Sequence, residues 1–320
     1  MKQKLTFKKI WALIKDTFSG FSDDKVTRLA GSLAYYTVFS LGPLLVVIIS
    51  VCGIFLAREA VEGKISDVLS GFVGEDTAKQ LQDIVKNAAI SGKGKIAAII
   101  GGVTLLVGAT TVFAEIQEAI NDIWGIKAKP KKGWLKMIQN RLLSFSVIIS
   151  LGFLLLVSLT LTGIVEGVST YLSQRYPDVT VIFFYILNLV LTLVISTLIF
   201  GVIFKVLPDA QIKWKDVRAG AIVTAVLFMI GKFLISLYIS GTKVGSTYGA
   251  AGSLVILLVW VYYSSIILYI GAEFTKAYAV SYGSKILPNT YAVTTKVVEV
   301  EQGRASIQEK ENAPLETKKS

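Results

Sequence analysis

From Val244 to Ala272 the chain carries no Asp, Glu, Lys or Arg. Roughly 20 apolar residues are enough for one helix to cross the ~30 Å hydrocarbon layer of a bilayer. The stretch therefore predicts a membrane span, and it sets the medium in which everything else must fold. Its composition is not uniform. Gly249, Gly252 and Ser253 thin its start for close helix contact. Trp260, Tyr262, Tyr263 and Tyr269 are scattered through its middle, and Glu273 closes it.

Five further apolar blocks accompany it, with the charges clustered between them instead of interspersed. That pattern predicts an all-α, polytopic membrane protein: a six-helix bundle with spans at about 29–57, 96–124, 142–165, 179–204, 219–240 and 244–278. Residues 1–28 form a lysine-rich lead-in in which Phe7, Ile10, Trp11, Ile14 and Phe18 fall on one helical face. A helix lying in the inner membrane interface is one reading of it, and docking onto the protein's own inner face is the other. Residues 58–95 contain two amphipathic stretches, the second opened by the capping pattern Thr77-x-x-Gln80. They predict short extracytoplasmic helices, because so few residues seldom make an independent core. Residues 283–320 are polar and mixed in charge, and read as a disordered tail.

The net charge of +11 raises the question of nucleic acid. Its distribution answers otherwise. Lys and Arg crowd the lead-in, the Lys127–Arg141 loop, the Lys205–Arg218 loop and the tail, while the alternate loops are poor in them or balance them with acids. This is the positive-inside pattern for a cell-membrane protein with both termini cytoplasmic, partnered by membrane lipids and not by nucleic acid. Histidine is absent, and the single cysteine, Cys52, lies in an apolar run, so the common general base, zinc patterns and disulfides are all missing. No phosphate-binding or dinucleotide fingerprint occurs. The expectation is a non-enzyme without cofactor or metal.

Candidate functional residues are the ionisable groups inside or at the ends of spans. An isolated charge near the bilayer centre costs at least ~2.5–3.5 kcal/mol, so it normally meets a partner or water. Lys232 interrupts the fifth span; it serves either as a structural ion-pair partner, or as a contact for an anionic solute or part of a proton relay. Glu115 and Glu118 stand at the end of the second span and Glu273 near the end of the sixth. Lys232, Glu115, Glu118 and Glu273 are expected to border one polar cavity. Pro43 removes a helical hydrogen-bond donor, which makes it a fixed kink or a gating hinge. Asn121 is a candidate for an interhelical hydrogen bond, and Trp124 for an interfacial anchor. Oligomeric state is open.

Four stretches resemble the YihY/BrkB family of bacterial inner-membrane proteins: LAGSLAYYTVFSLGPLL at Leu29–Leu45, INDIWGI at Ile120–Ile126, LPDAQIKWKDVRAGA at Leu207–Ala221, and YGAAGSLVILLVWVYYSSIILYIGAEF at Tyr248–Phe274. The resemblance spans about residues 25–282 and implies a six-helix inner-membrane bundle linked to envelope integrity. It also implies a transporter of lipid-linked material, hence an amphipathic or anionic solute. A ribonuclease label attached to some members has no support in these residues, which offer neither an acid/base pair nor a metal site in a soluble domain. The competing reading is a non-transporting scaffold that holds envelope enzymes through residues 58–95 or the tail.

Overall fold

A computed structural model describes residues 7–52, 95–129, 177–241 and 252–295, together with parts of 138–165. Its long helices are α1 (Phe7–Asp23), α2 (Val26–Cys52), α3 (Lys95–Ile123), α4 (Pro177–Val206), α5 (Trp214–Gly241) and α6 (Gly252–Tyr282). Four short strands join them: β1 (Ile126–Ala128), β2 (Ala210–Gln211), β3 (Leu287–Pro288) and β4 (Ala292–Thr294). A further helical stretch at 146–154 lies within the third apolar block. The extracytoplasmic helices expected at 58–95 and most of the 142–165 span fall outside the described residues.

Among the described residues, three helices are long and apolar enough to cross a membrane, over Ile182–Val206, Trp214–Ile235 and Val255–Tyr282. On α4, Ile182, Phe183, Ile186, Leu189, Val190, Val194 and Leu198 are all exposed, far more apolar surface than a water-soluble helix leaves uncovered. The helix α2 continues through Pro43 to Cys52, so the proline does not end it.

Around α6 the other elements gather: α1, α2, α3 and α5 all pack against it, while α4 packs on α5 and α2 on α3. The α5–α6 contact is built from a reciprocal pair of Gly-x-x-x-Thr motifs. A Cβ on Gly220 would collide with Thr275, and one on Gly271 with Thr224. Each threonine hydroxyl donates back to its own glycine's carbonyl, Thr224 to Gly220 and Thr275 to Gly271, both at 2.7 Å. The polar atoms are thus satisfied within each helix, and the two backbones can close on each other. Nearer the other end, Phe228 of α5 lies between Phe200 of α4 and Trp260 of α6, at ring separations of 5.7 and 6.1 Å.

The helix ends follow from local chemistry. Gly125 takes a left-handed φ of 63° just past α3, and its N–H caps the Asp122 carbonyl at 3.0 Å. Pro208 stops α4. Between α1 and α2, Lys25 occupies the left-handed region at φ 51°, an uncommon place for a side chain with a Cβ. α1 docks on α6 through a narrow face in which only Leu13 and Thr17 are buried; one buried leucine contributes about 1.5–3 kcal/mol.

The start of the tail differs from its expected disorder. β4 pairs antiparallel with β1, Ile126 opposite Thr294, and β3 pairs with β2, Ala210 opposite Pro288. Residues 287–294 therefore tie the loop after α3 to the loop after α4. The fold is helical with two small sheets where a purely all-α bundle was expected. Strands of two or three residues leave no periodic signal in a polar sequence, which is why the tail gave no sign of them.

Candidate functional site

At the end of the bundle where α3 and α4 terminate, Asp209 is buried at 2% exposure. Its position is set by Pro208, which turns the chain inward as α4 ends. Asn121 Nδ2 donates to Asp209 Oδ2 at 3.0 Å, and the Asp209 N–H donates to Asn121 Oδ1 at 2.8 Å. Gln117 Nε2 at 3.2 Å and the Tyr291 hydroxyl at 3.0 Å both donate to Oδ1. The Asp209 carbonyl accepts the Asn289 N–H at 2.9 Å. One carboxylate thus joins α3, the α4–α5 loop and the chain beyond α6. Nearby, the Trp124 indole N–H donates to the Ala272 carbonyl at 3.1 Å and fastens the end of α3 to α6.

A second polar group lies between α1, α2, α3 and α6. Glu273 is buried at 2% exposure, and its Oε1 has no hydrogen-bond partner. Its carboxyl group lies against Gly20 of α1, where an added Cβ would meet it. Lys276 stands between two carboxylates, 3.0 Å from Asp24 Oδ2 and 3.6 Å from Glu273 Oε2. One turn back along α6, Tyr269 is wholly buried with its hydroxyl unpartnered. Ser32 of α2 donates to Glu115 of α3, joining those two helices. The result is a polar seam from Tyr269 and Glu115 to Glu273, Asp24 and Lys276, running between otherwise apolar helices. Burying unpaired polar atoms is costly anywhere, and more so where lipid replaces water.

The predicted residues divide accordingly. Glu115 and Glu273 flank the seam, and Glu118 is exposed at its rim. Lys232 is not gathered with them. It lies on the exposed side of α5, beside Gly231, whose inner face meets Ile267 and Tyr263 of α6. Those two residues precede Glu273 by roughly 9–15 Å of helix at 1.5 Å per residue. A single cavity bordered by all four charges is therefore not what the geometry gives: the lysine faces outward and at a different level. Asn121 makes a long-range hydrogen bond, to a loop instead of a helix, and Trp124 is buried in the bundle's end. Sequence reasoning missed Asp24, Gln117, Asp209, Tyr269 and Tyr291. Among the described residues, no cluster of three His, Cys, Asp or Glu side chains is arranged to hold a metal ion.

Helices of membrane-crossing length, lipid-type outer faces and a buried polar joint define a polytopic helical membrane protein. The chain belongs to the family described as Virulence factor BrkB, which matches residues 17–292. It is 28% identical over 284 residues to a UPF0761 membrane protein of Alteromonas mediterranea, covering 86% of this chain and 91% of the relative. It is 29% identical over 279 residues to one from Vibrio parahaemolyticus, covering 83% and 82%. A longer relative from Janthinobacterium sp. (strain Marseille) is 25% identical, and the chain spans 61% of its length. No solved structure matches.

The four stretches that resembled the family are also the ones that meet in space. Asn121 of the second bonds Asp209 of the third, Trp124 of the second bonds Ala272 of the fourth, and Ser32 of the first bonds Glu115 just before the second.

Proposed function

We propose that this chain is a six-span protein of the bacterial inner membrane, with both termini inside and α1 along the inner interface. It serves envelope integrity by moving or gating an amphipathic or anionic solute. The supporting observation is the seam: Glu273, with an unpartnered oxygen, buried among apolar helices. Ionisable groups inside spans are costly, and where they persist they commonly line a pathway. Asp24, Lys276, Glu115 and Tyr269 supply both charge signs and a hydroxyl along the same line, a lining suited to a headgroup and unlike a purely structural core.

Purified protein in vesicles carrying a fluorescently labelled phosphatidylglycerol tests this, with an impermeant quencher reporting movement between leaflets. Wild type is expected to move the lipid. Glu273→Gln is expected to slow it by roughly tenfold or more, because one charge-assisted interaction of about 1.5–3 kcal/mol is lost. Lys232→Met, on the outer face, is expected to leave the rate near wild type. No movement by wild type, or equal rates for Glu273→Gln, contradicts the proposal. That outcome would favour the scaffold reading, for which the firmly paired root of the tail at 287–294 is the specific support.

A further inference from the structure

α1 has three distinct sides. At 3.6 residues per turn, Phe7, Ile10, Trp11, Ile14 and Phe18 share one face, and all are exposed, Phe7 at 83%, Trp11 at 64% and Phe18 at 61%. Leu13 and Thr17 lie to one flank and are buried on α6, with Gly20 beside them against Glu273. Lys8 and Lys15 lie on the other flank of the apolar face, also exposed, while Asp16 and Asp23 point to the far side. Lys9 sits over the Tyr282 ring, 5.6 Å from its centroid, on the α6 side.

An apolar face bordered by lysines, with its acids turned away, has the charge arrangement of a helix bedded in an anionic headgroup layer. The two-residue turn at Asp24 and Lys25 holds α1 at the level where α2 begins, which is where such a layer would lie. The same helix closes over Glu273. Its protein anchor consists of buried Leu13 and Thr17, half-buried Phe21, Lys9 on the Tyr282 ring and the Asp24–Lys276 pair. The larger apolar surface is the one left uncovered.

We propose that α1 is a cap on Glu273 held shut by anionic phospholipid. Resting on the reading of α1 as interfacial, this adds that headgroup charge decides whether the seam is covered. With anionic lipid beneath it, α1 stays on α6 and Gly20 shields the carboxylate. Without that lipid the narrow protein contact alone holds the helix, and Glu273 opens to water.

The test uses full-length protein in a Cys52→Ser background, reconstituted into phosphatidylcholine vesicles with or without phosphatidylglycerol. Spin labels on Ala12→Cys and Val280→Cys, both exposed positions on α1 and α6, report docking. A single label on Trp11→Cys reports depth. The expected result with phosphatidylglycerol is one narrow distance and a Trp11 label reached by oxygen but not by an aqueous relaxation agent. Omitting phosphatidylglycerol, or introducing Lys8→Glu with Lys15→Glu, is expected to replace the narrow distance with a broad distribution. A distance unaffected by lipid and by charge reversal overturns the cap while leaving the interfacial position intact. A Trp11 label reached by the aqueous agent, or shielded from both agents as in a protein contact, overturns the interfacial reading and the cap together.

Discussion

Asp209→Ala is expected to cost about 3 kcal/mol or more of stability. The change removes the acceptor for Gln117, Asn121 and Tyr291 in a site with 2% exposure. Hydrogen bonds to a charged group are worth about 1.5–3 kcal/mol each, and a donor left buried without a partner adds its own desolvation penalty. The backbone contacts of Asp209 to Asn121 and Asn289 survive the substitution, which limits the loss. Asp209→Asn is expected to fall between the two, because its carbonyl can still serve Gln117 and Tyr291 while its amide opposes the Asn121 amide. The readouts are thermal unfolding in detergent and limited proteolysis. In Asp209→Ala the segment at 287–294 should be cut early, since Tyr291 is one of its holds. A variant as stable and as protease-resistant as wild type would show that the network carries little weight.

Gly271→Leu and Gly220→Leu are expected to separate α5 from α6. Each side chain would enter space already filled by Thr224 or Thr275 of the facing helix. Overpacking of a close-packed core costs typically 1–3 kcal/mol, and here the obstacle is a short, β-branched side chain fixed to the facing helix, so whole elements must shift. Because α5 carries α4, and α6 carries α1, α2 and α3, the displacement reaches most of the bundle. Low yield of monodisperse protein and a lowered unfolding temperature are the expected signs. Gly31→Ala is the control: among the described residues, nothing lies within 4 Å of its added Cβ, and alanine favours helix over glycine. It should unfold at or above the wild-type temperature. Equal behaviour of all three variants would remove the interlocking glycines from the list of what holds the bundle together.

Much of the architecture was legible in the order of residues. Long uncharged runs report a lipid environment directly, because each charge placed in them would be costly, and the helices α4, α5 and α6 coincide with such runs. Glu115 and Glu273 stood out for the same reason, and both flank the seam. Lys232 stood out too, yet a charge within an apolar run says nothing about which side of its helix faces the neighbours. That depends on packing, here on Gly231 turning inward against Ile267 and Tyr263. The Asp209 network was hidden for a different reason. Its hydrogen bonds join residues up to 92 apart in sequence, and an aspartate after a proline looks like any loop residue until the fold places Asn121 opposite it. Tyr269 looked like one aromatic among several in a span; its complete burial is a property of the bundle. The lead-in offered two alternatives; α1 docks through Leu13 and Thr17 and leaves a separate apolar face uncovered.

Every role assigned to α1, Glu273 and the 287–294 strands requires their shared end of the bundle to face the cell interior. Single cysteines at Lys8→Cys and Lys285→Cys, in a Cys52→Ser background and probed with a membrane-impermeant maleimide on spheroplasts, measure this directly. The expected result is no labelling of either site until the membrane is permeabilised, then full labelling of both. Labelling of either position from outside an intact membrane would contradict it.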